Sequence, residues 1–395
     1  MRQLPGVLLG IAGLCAPLGA QSGLPTWTLR EDWRLRTDAV DLIQVQGLTV
    51  LADGGFIVVA GQDRQIHRFD ASGQLRFSAG REGRGPGEFV APQTARVTGD
   101  SVWVWDLLAR RLTVFGPTGR YVRSVELAGT WPLRADTPPL AGRRSGALMP
   151  DFVTAEGDVV GWTTVAASGP GDVSRSLLVR VGRDSMAHPI SDRLGYDNAA
   201  VSWRAADNTG GSIRIPFAPR PLSGASADGR RIVTAQSTAK DATTSELRLR
   251  VVDAATGAVT DHRANFPAVT VTRARRDSAM NVTRNAAGRG FGGARVTGPP
   301  AGTFADVESR IPPTADLLPG ARQLMVAPDG TMFVPLQTAD HPAPRYAVFA
   351  PNGRQTGWFS VPKGVFLRAA TATHVWAAVP DEDGFPRIVR FAIVR

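Results

Sequence analysis

The chain has 395 residues, a formal net charge of +10 and one cysteine. That length holds one large all-β domain or two ordinary ones, and a lone cysteine excludes an internal disulfide framework and a thiolate metal site. Nearly all the positive charge is arginine, Lys240 and Lys363 being the only lysines. It is spread along the chain and not gathered into a patch or tail, so no specific nucleic-acid partner is expected.

The chain begins with Arg2 before an apolar run from Leu8 to Leu18, then Gly19-Ala20-Gln21. This layout predicts a secretory signal over residues 1–20, cut after Ala20. The run is short for a membrane span, and Leu14 stands where a lipidated Cys15 would want a small residue. The expectation is an exported chain, periplasmic or extracellular, with no membrane span and monomeric.

Beyond this segment a unit recurs: polar turn, short β-rich run, loop, second run, turn. Its first copy has Asp53-Gly54-Gly55, FIVVA from Phe56, IHRF from Ile66 and a turn ending at Gly73. The second has Asp100, VWVW from Val102, LTVF from Leu112 and a turn ending at Gly119. Gly54 to Gly73 and Asp100 to Gly119 are both offsets of 19 residues, which favours true repetition. Looser copies start at Gly157, Asp228, Asp329 and Thr373, making six. A run before each turn (LTVLA from Leu48, QLMVA from Gln323) and one after (LRFSA from Leu75, GWFSV from Gly357) bring the count to four strands per copy. The chain is expected to be all-β, a six-bladed β-propeller with four-stranded blades. The last copy stops at Arg395 after its third strand, so Trp27 to Arg36 is expected to supply the fourth and close the ring. Residues 21–395 then form one propeller domain.

Gly80 to Phe89, GREGRGPGEF, looks at first like a phosphate cradle. A phosphate loop needs GxxxxGK[ST] opening a helix, and here Pro92 and a strand follow. The glycines are expected to carry a tight crossing between sheets, with Phe89 filling the gap between blades. Gly87, Phe89, Pro92, Asp106, Arg111, Val114, Phe115 and Gly119 fit the order of an NHL repeat, and the chain resembles the exported bacterial six-bladed propellers of that type. The match is specific over residues 40–125 and loose elsewhere. Six-bladed lactonases and related hydrolases hold a divalent cation with carboxylate and amide oxygens around the central channel. The resemblance therefore implies, as the alternative function, a metal-dependent hydrolase or lyase.

Thr270 to Pro319 breaks the repeat, opening on a predicted helix from Arg273 to Arg284 and then turning rich in Gly and Pro. Residues 130–150 and 191–220 are smaller insertions. Counting strands puts all three on connections from an outer strand to the next inner one. These share a face with the loops between second and third strands, so that face is the expected binding surface. Candidate ligand residues there are Arg64, Asp106, Arg110, Asp340, His341, Arg345, Asp381 and Asp383, with Arg275 and Arg276 in the long insertion. His67 and His262 fall in predicted strands and His374 in a turn. No HExxH or GxSxG motif occurs. No catalytic residue is assigned and no cofactor is expected, a channel cation such as calcium being the exception the resemblance allows. The reading is a non-catalytic binding or interaction protein for a protein, a peptide or an anionic ligand.

Overall fold

The computed structural model describes residues 23–36, 40–127, 129–134, 140, 142–154, 156–166, 174–192, 200–204, 210–286, 299–318, 323–338 and 341–395. The expected signal segment and Asp340 lie outside these. β1 (Thr26–Arg34) comes first, and four separate four-stranded antiparallel sheets follow. They are β2 (Val45–Val50) to β5, with β3 (Phe56–Ala60), β4 (Gln65–Phe69) and β5 (Leu75–Ala79); and β6 (Pro92–Thr98) to β9, with β7 (Ser101–Asp106), β8 (Arg111–Phe115) and β9 (Tyr121–Glu126). Next comes the sheet of β10 (Met149–Val153), β11 (Val159–Val165), β12 (Arg175–Val181) and β13 (Ala187–Asp192), and then a hairpin of β14 (Ala200–Arg204) and β15 (Gly210–Arg214). The fourth sheet holds β16 (Leu222–Ala225), β17 (Arg231–Ala239), β18 (Thr244–Asp253) and β19 (Val259–Pro267). An insertion of β20 (Val269–Thr270), α1 (Arg273–Ala286), α2 (Thr303–Ser309) and β21 (Thr314–Ala315) separates it from the rest.

The remaining strands are β22 (Met325–Val326), β23 (Met332–Thr338), β24 (His341–Phe349), β25 (Gln355–Ser360), β26 (Phe366–Ala370), β27 (His374–Pro380) and β28 (Pro386–Val394). With β1 they make one eight-stranded sheet in the order β22-β23-β24-β25-β1-β28-β27-β26. β1 pairs antiparallel with β28 from Thr28↔Val394 to Arg34↔Val389, and touches β25 in parallel at Thr26↔Trp358. The molecule is thus an all-β, propeller-like ring of four-stranded sheets. No described helix is long and apolar enough to cross a membrane.

The composition of the strands follows from this stacking. A sheet with a neighbour on each face buries both faces of its middle strands, which then read as continuous apolar runs. All five residues of β3, FIVVA, are buried, whereas edge strand β5 alternates. Separate apolar clusters fill the gaps between sheets. Ile57 and Val59 meet Val104 and Phe115; Trp103 and Trp105 meet Val159 and Val179; Trp162 and Leu178 meet Ile232 and Val252. Leu247 meets Val334, Tyr346 and Phe359 share a cluster with Val389, and Phe56 and Val58 meet Trp376 and Ile388.

The glycine-rich stretch is structural. Phe89 is fully buried between the sheets, and a Cβ on Gly80, which has φ of 99°, would lie 2.4 Å from its ring. Arg111 donates to the carbonyls of Arg84 (2.7 Å), Gly85 (3.0 Å) and Glu88 (2.7 Å), tying the crossing down.

Candidate functional site

β2, β6, β10 and β16 each open one of the four-stranded sheets, and β22 and β26 are the two edge strands of the eight-stranded sheet. They line one cavity of about 240 Å³ at the centre of the ring. Close approach of the backbones makes this packing specific: a Cβ on Gly224 of β16 would sit 2.3 Å from the Leu324 carbonyl oxygen beside β22. Four of the six strands carry a β-bulge, whose extra residues are Gln46, Gln93, Asp151 and Arg368. A bulge re-aims one side chain out of the two-residue alternation. Gln46, Asp151 and Arg368 line the cavity, joined by Arg96, Thr49 and Thr94 from regular positions.

The polar contacts here tie strand to strand. The Gln46 amide donates to Gln93 Oε1 at 2.8 Å, Thr49 Oγ1 donates to the Ala95 carbonyl at 2.6 Å, and Arg96 Nη1 donates to Thr49 Oγ1 at 3.0 Å. The Nε atoms of Arg96 and Arg368 are buried with no hydrogen-bond partner. Burial lowers the pKa of both arginines, opposed by Asp151 at Arg96 and by Tyr346 at Arg368. Arg96 is half-buried. An arginine in such a place still stays charged. The described lining therefore sets two guanidiniums against one carboxylate. Among the described residues no group of three or more His, Cys, Asp or Glu is placed to hold a metal ion.

Comparison with known proteins gives fold-level likeness only. No family model matches the chain, and no curated protein does. Among solved structures it is similar to a Bacteroides fragilis protein classed as exported, at 10% identity and a TM-score of 0.49, covering 93% of this chain and 95% of that one. It is similar to a streptogramin B lyase at 11% identity and a TM-score of 0.40, over 91% of this chain and 97% of that one. It is also similar to the PQQ-bound aldose sugar dehydrogenase of Streptomyces coelicolor at 11% identity and a TM-score of 0.41, over 94% and 99%. No activity is carried over from these three.

None of the described residues singled out from sequence lines the channel; Arg64, Arg110, Asp381 and Asp383 sit in turns between strands. Arg64 and Arg110 occupy left-handed turn positions with φ of 54° and 52°, and Arg64 donates to the Gly61 carbonyl. Asp106 is fully buried and accepts from the backbone amides of Val90 (2.6 Å), Ala91 (3.0 Å) and Ala109 (2.9 Å), pinning the loop. Asp381 Oδ1 accepts from the amides of Asp383 and Phe385, and its Oδ2 from Arg387 Nε, closing its own turn. Arg345 lies over the Trp358 ring at 3.9 Å. His341 opens β24 opposite Thr338, a strand position and not a free loop; its side chain lies outside the description. His374 likewise opens β27, where its Nε2 lies 3.1 Å from Asp32. Arg275 and Arg276 are on α1, and Arg275 lines a cavity in the insertion. Sequence reasoning did not single out Arg96, Asp151 and Arg368; a charged residue in a short inner strand flanked by apolar residues was the available signal.

Proposed function

We propose that this is an exported binding protein, a six-bladed propeller of NHL type closed by β1, which takes a small organic anion into its central channel from the loop-elaborated face. Two features support six blades. The eight-stranded sheet divides into β22–β25 and β26–β27–β28–β1 at the short parallel contact between β1 and β25. The channel is lined by the first strand of six units. The long connections β9–β10, β13–β16 and β19–β22 all lie on the face where outer strands lead to inner ones.

The observation that carries the ligand class is the pair of enclosed guanidiniums whose Nε donors find no acceptor. Leaving a buried donor unmade costs about 1–3 kcal/mol, more for a charged group. A carboxylate oxygen placed there would recover that energy, and guanidinium geometry suits it. A space of about 240 Å³ lies below the roughly 300–1,000 Å³ of drug-sized sites, so the ligand is small. The alternative, a metal-dependent hydrolase or lyase, fits this lining poorly: one carboxylate beside two cations opposes a divalent ion.

A thermal-shift panel tests the reading at constant ionic strength. Acetate, malonate, succinate and citrate are compared with chloride and with calcium. One or more carboxylates should raise the melting temperature saturably, as a ligand of the native state must. Calcium alone doing so would favour the metal-dependent reading, and no response to any carboxylate would defeat the anion reading.

A further inference from the structure

The β13–β16 and β19–β22 connections meet and build a small module with its own core. Val201 and Ile213 of the hairpin pack with Met280 of α1 and Val307 of α2. The pairs Val269↔Ala315 and Thr270↔Thr314 close the second insertion at its base. Phe217, between β15 and β16, has φ of 62°. A bulky aromatic in the left-handed region is a genuine outlier, and such strain persists where surrounding structure imposes it, often at ligand sites.

Two cavities share Phe217 and Arg220. One, of about 280 Å³, holds Arg220, Arg275, Asp316 and Gln337. The other, of about 500 Å³, runs along α1 past Ile213, Ala279 and Val282. Ala279, Val282 and Ala286 fall at helical spacing on one stripe, and Val282 is 67% exposed, an unusual place for a valine on a helix that buries Met280 in the module core. Arg220 has its pKa lowered by burial and by repulsion from Arg214, with Asp316 opposing. Among the described residues no hydrogen bond or ion pair engages the Arg220 or Arg275 guanidinium. The Asp316 carboxylate is already occupied: it accepts the amides of Arg220 (2.5 Å) and Leu318 (3.1 Å) and the Ser237 hydroxyl.

We propose that the module carries a second site, separate from the channel, for an amphiphilic carboxylate whose head lies between Arg220 and Arg275 and whose apolar tail runs along α1. Three arginines against one engaged carboxylate set the sign of the head. The exposed Val282 stripe beside Phe217 and Ile213 sets the character of the tail. The ligand class differs from that of the channel, whose lining includes the charged side chains of Arg96, Asp151 and Arg368.

Calorimetry with sodium octanoate and sodium acetate tests this on the full chain. Each buried methylene is worth about fourfold in affinity, so octanoate with half its extra methylenes covered should bind roughly 50-fold tighter than acetate at this site. Arg220→Met and Arg275→Met should each weaken octanoate about tenfold or more. Val282→Asp should remove the advantage over acetate; Val282 and Arg275 are exposed, so those two variants should melt like the parent. Arg368→Met, in the channel, removes carboxylate binding there and should leave the advantage of octanoate over acetate unchanged. The proposal fails if octanoate binds no better than acetate, or if Arg368→Met abolishes that advantage while Arg220→Met and Arg275→Met leave it intact.

Discussion

Trp27→Ala should cost the protein about 3–5 kcal/mol, the usual range for truncating a buried tryptophan. Trp27 opens β1, is 7% exposed and pairs with Phe359 of β25. Its ring lies flush on Gly357, where an added Cβ would come within 2.7 Å of it, and the Arg395 guanidinium sits 4.9 Å from the ring centroid. It belongs to the cluster holding Phe359, Val389 and Ile393. Removing it leaves a cavity at the point where β1 is wedged between β25 and β28, so the whole strand should loosen. That exposes the edge of β28, which is otherwise paired along most of its length. Urea titration gives the stability loss, with the slope checked for two-state behaviour. Amide exchange then reports whether β28 opens before the other strands. Leu108→Ala, at a residue 63% exposed, is the control and should stay within about 0.5 kcal/mol of the parent. A loss under about 1 kcal/mol for Trp27→Ala, or unchanged exchange in β28, would refute the reasoning that β1 closes the ring.

Asp106→Ala should destabilise by roughly 3 kcal/mol or more, because three backbone amides lose their acceptor at once; a change within 0.5 kcal/mol (about the surface-substitution level) in urea titration would mean that the loop holds itself. Burial, outweighing the hydrogen bonds that lower it, raises the Asp316 pKa from 3.8 to about 6. The native state thus binds that proton more tightly than the unfolded chain, and the resulting stability is present below about pH 4 and lost as pH rises through 6. Relative to Asp316→Asn, the parent should lose up to roughly 3 kcal/mol across that window; parallel stability curves for the two proteins would exclude it. Mass spectrometry of the exported chain should find Gln21 as the first residue, and a retained Met1 or a lipid on Cys15 would rule out the expected cleavage.

The sheets were legible because their signals are local. Asp53 shows how: its Oδ1 accepts the Gly55 amide at 2.9 Å, and Gly54 and Gly73 take φ of 80° and 90°. Each turn is therefore written in residues that sit side by side, and Gly119 repeats the pattern one sheet later with φ of 79°. The channel was not legible for the opposite reason. Arg96, Asp151 and Arg368 are far apart in sequence, one from each strand, and Asp151 and Arg368 are bulge residues that break the alternation a reader relies on. β16 and β22 are four and two residues long, too short to carry a pattern. The long insertion was legible as a departure from the repeat. Its union with the hairpin of β14 and β15 was not, since Val201 and Met280 share a core without any periodic relation.

The most direct test of the anion-binding channel is calorimetric titration of the most stabilising carboxylate from the thermal-shift panel into the parent and into Arg96→Met/Arg368→Met. Substituting both guanidiniums removes both unengaged Nε donors while keeping side chains of similar length. The parent should bind one equivalent, and the double variant, folded by circular dichroism, should lose at least about a hundredfold in affinity, since hydrogen bonds to charged groups are worth about 1.5–3 kcal/mol each. Equal affinity in the two proteins would contradict an anion-binding channel.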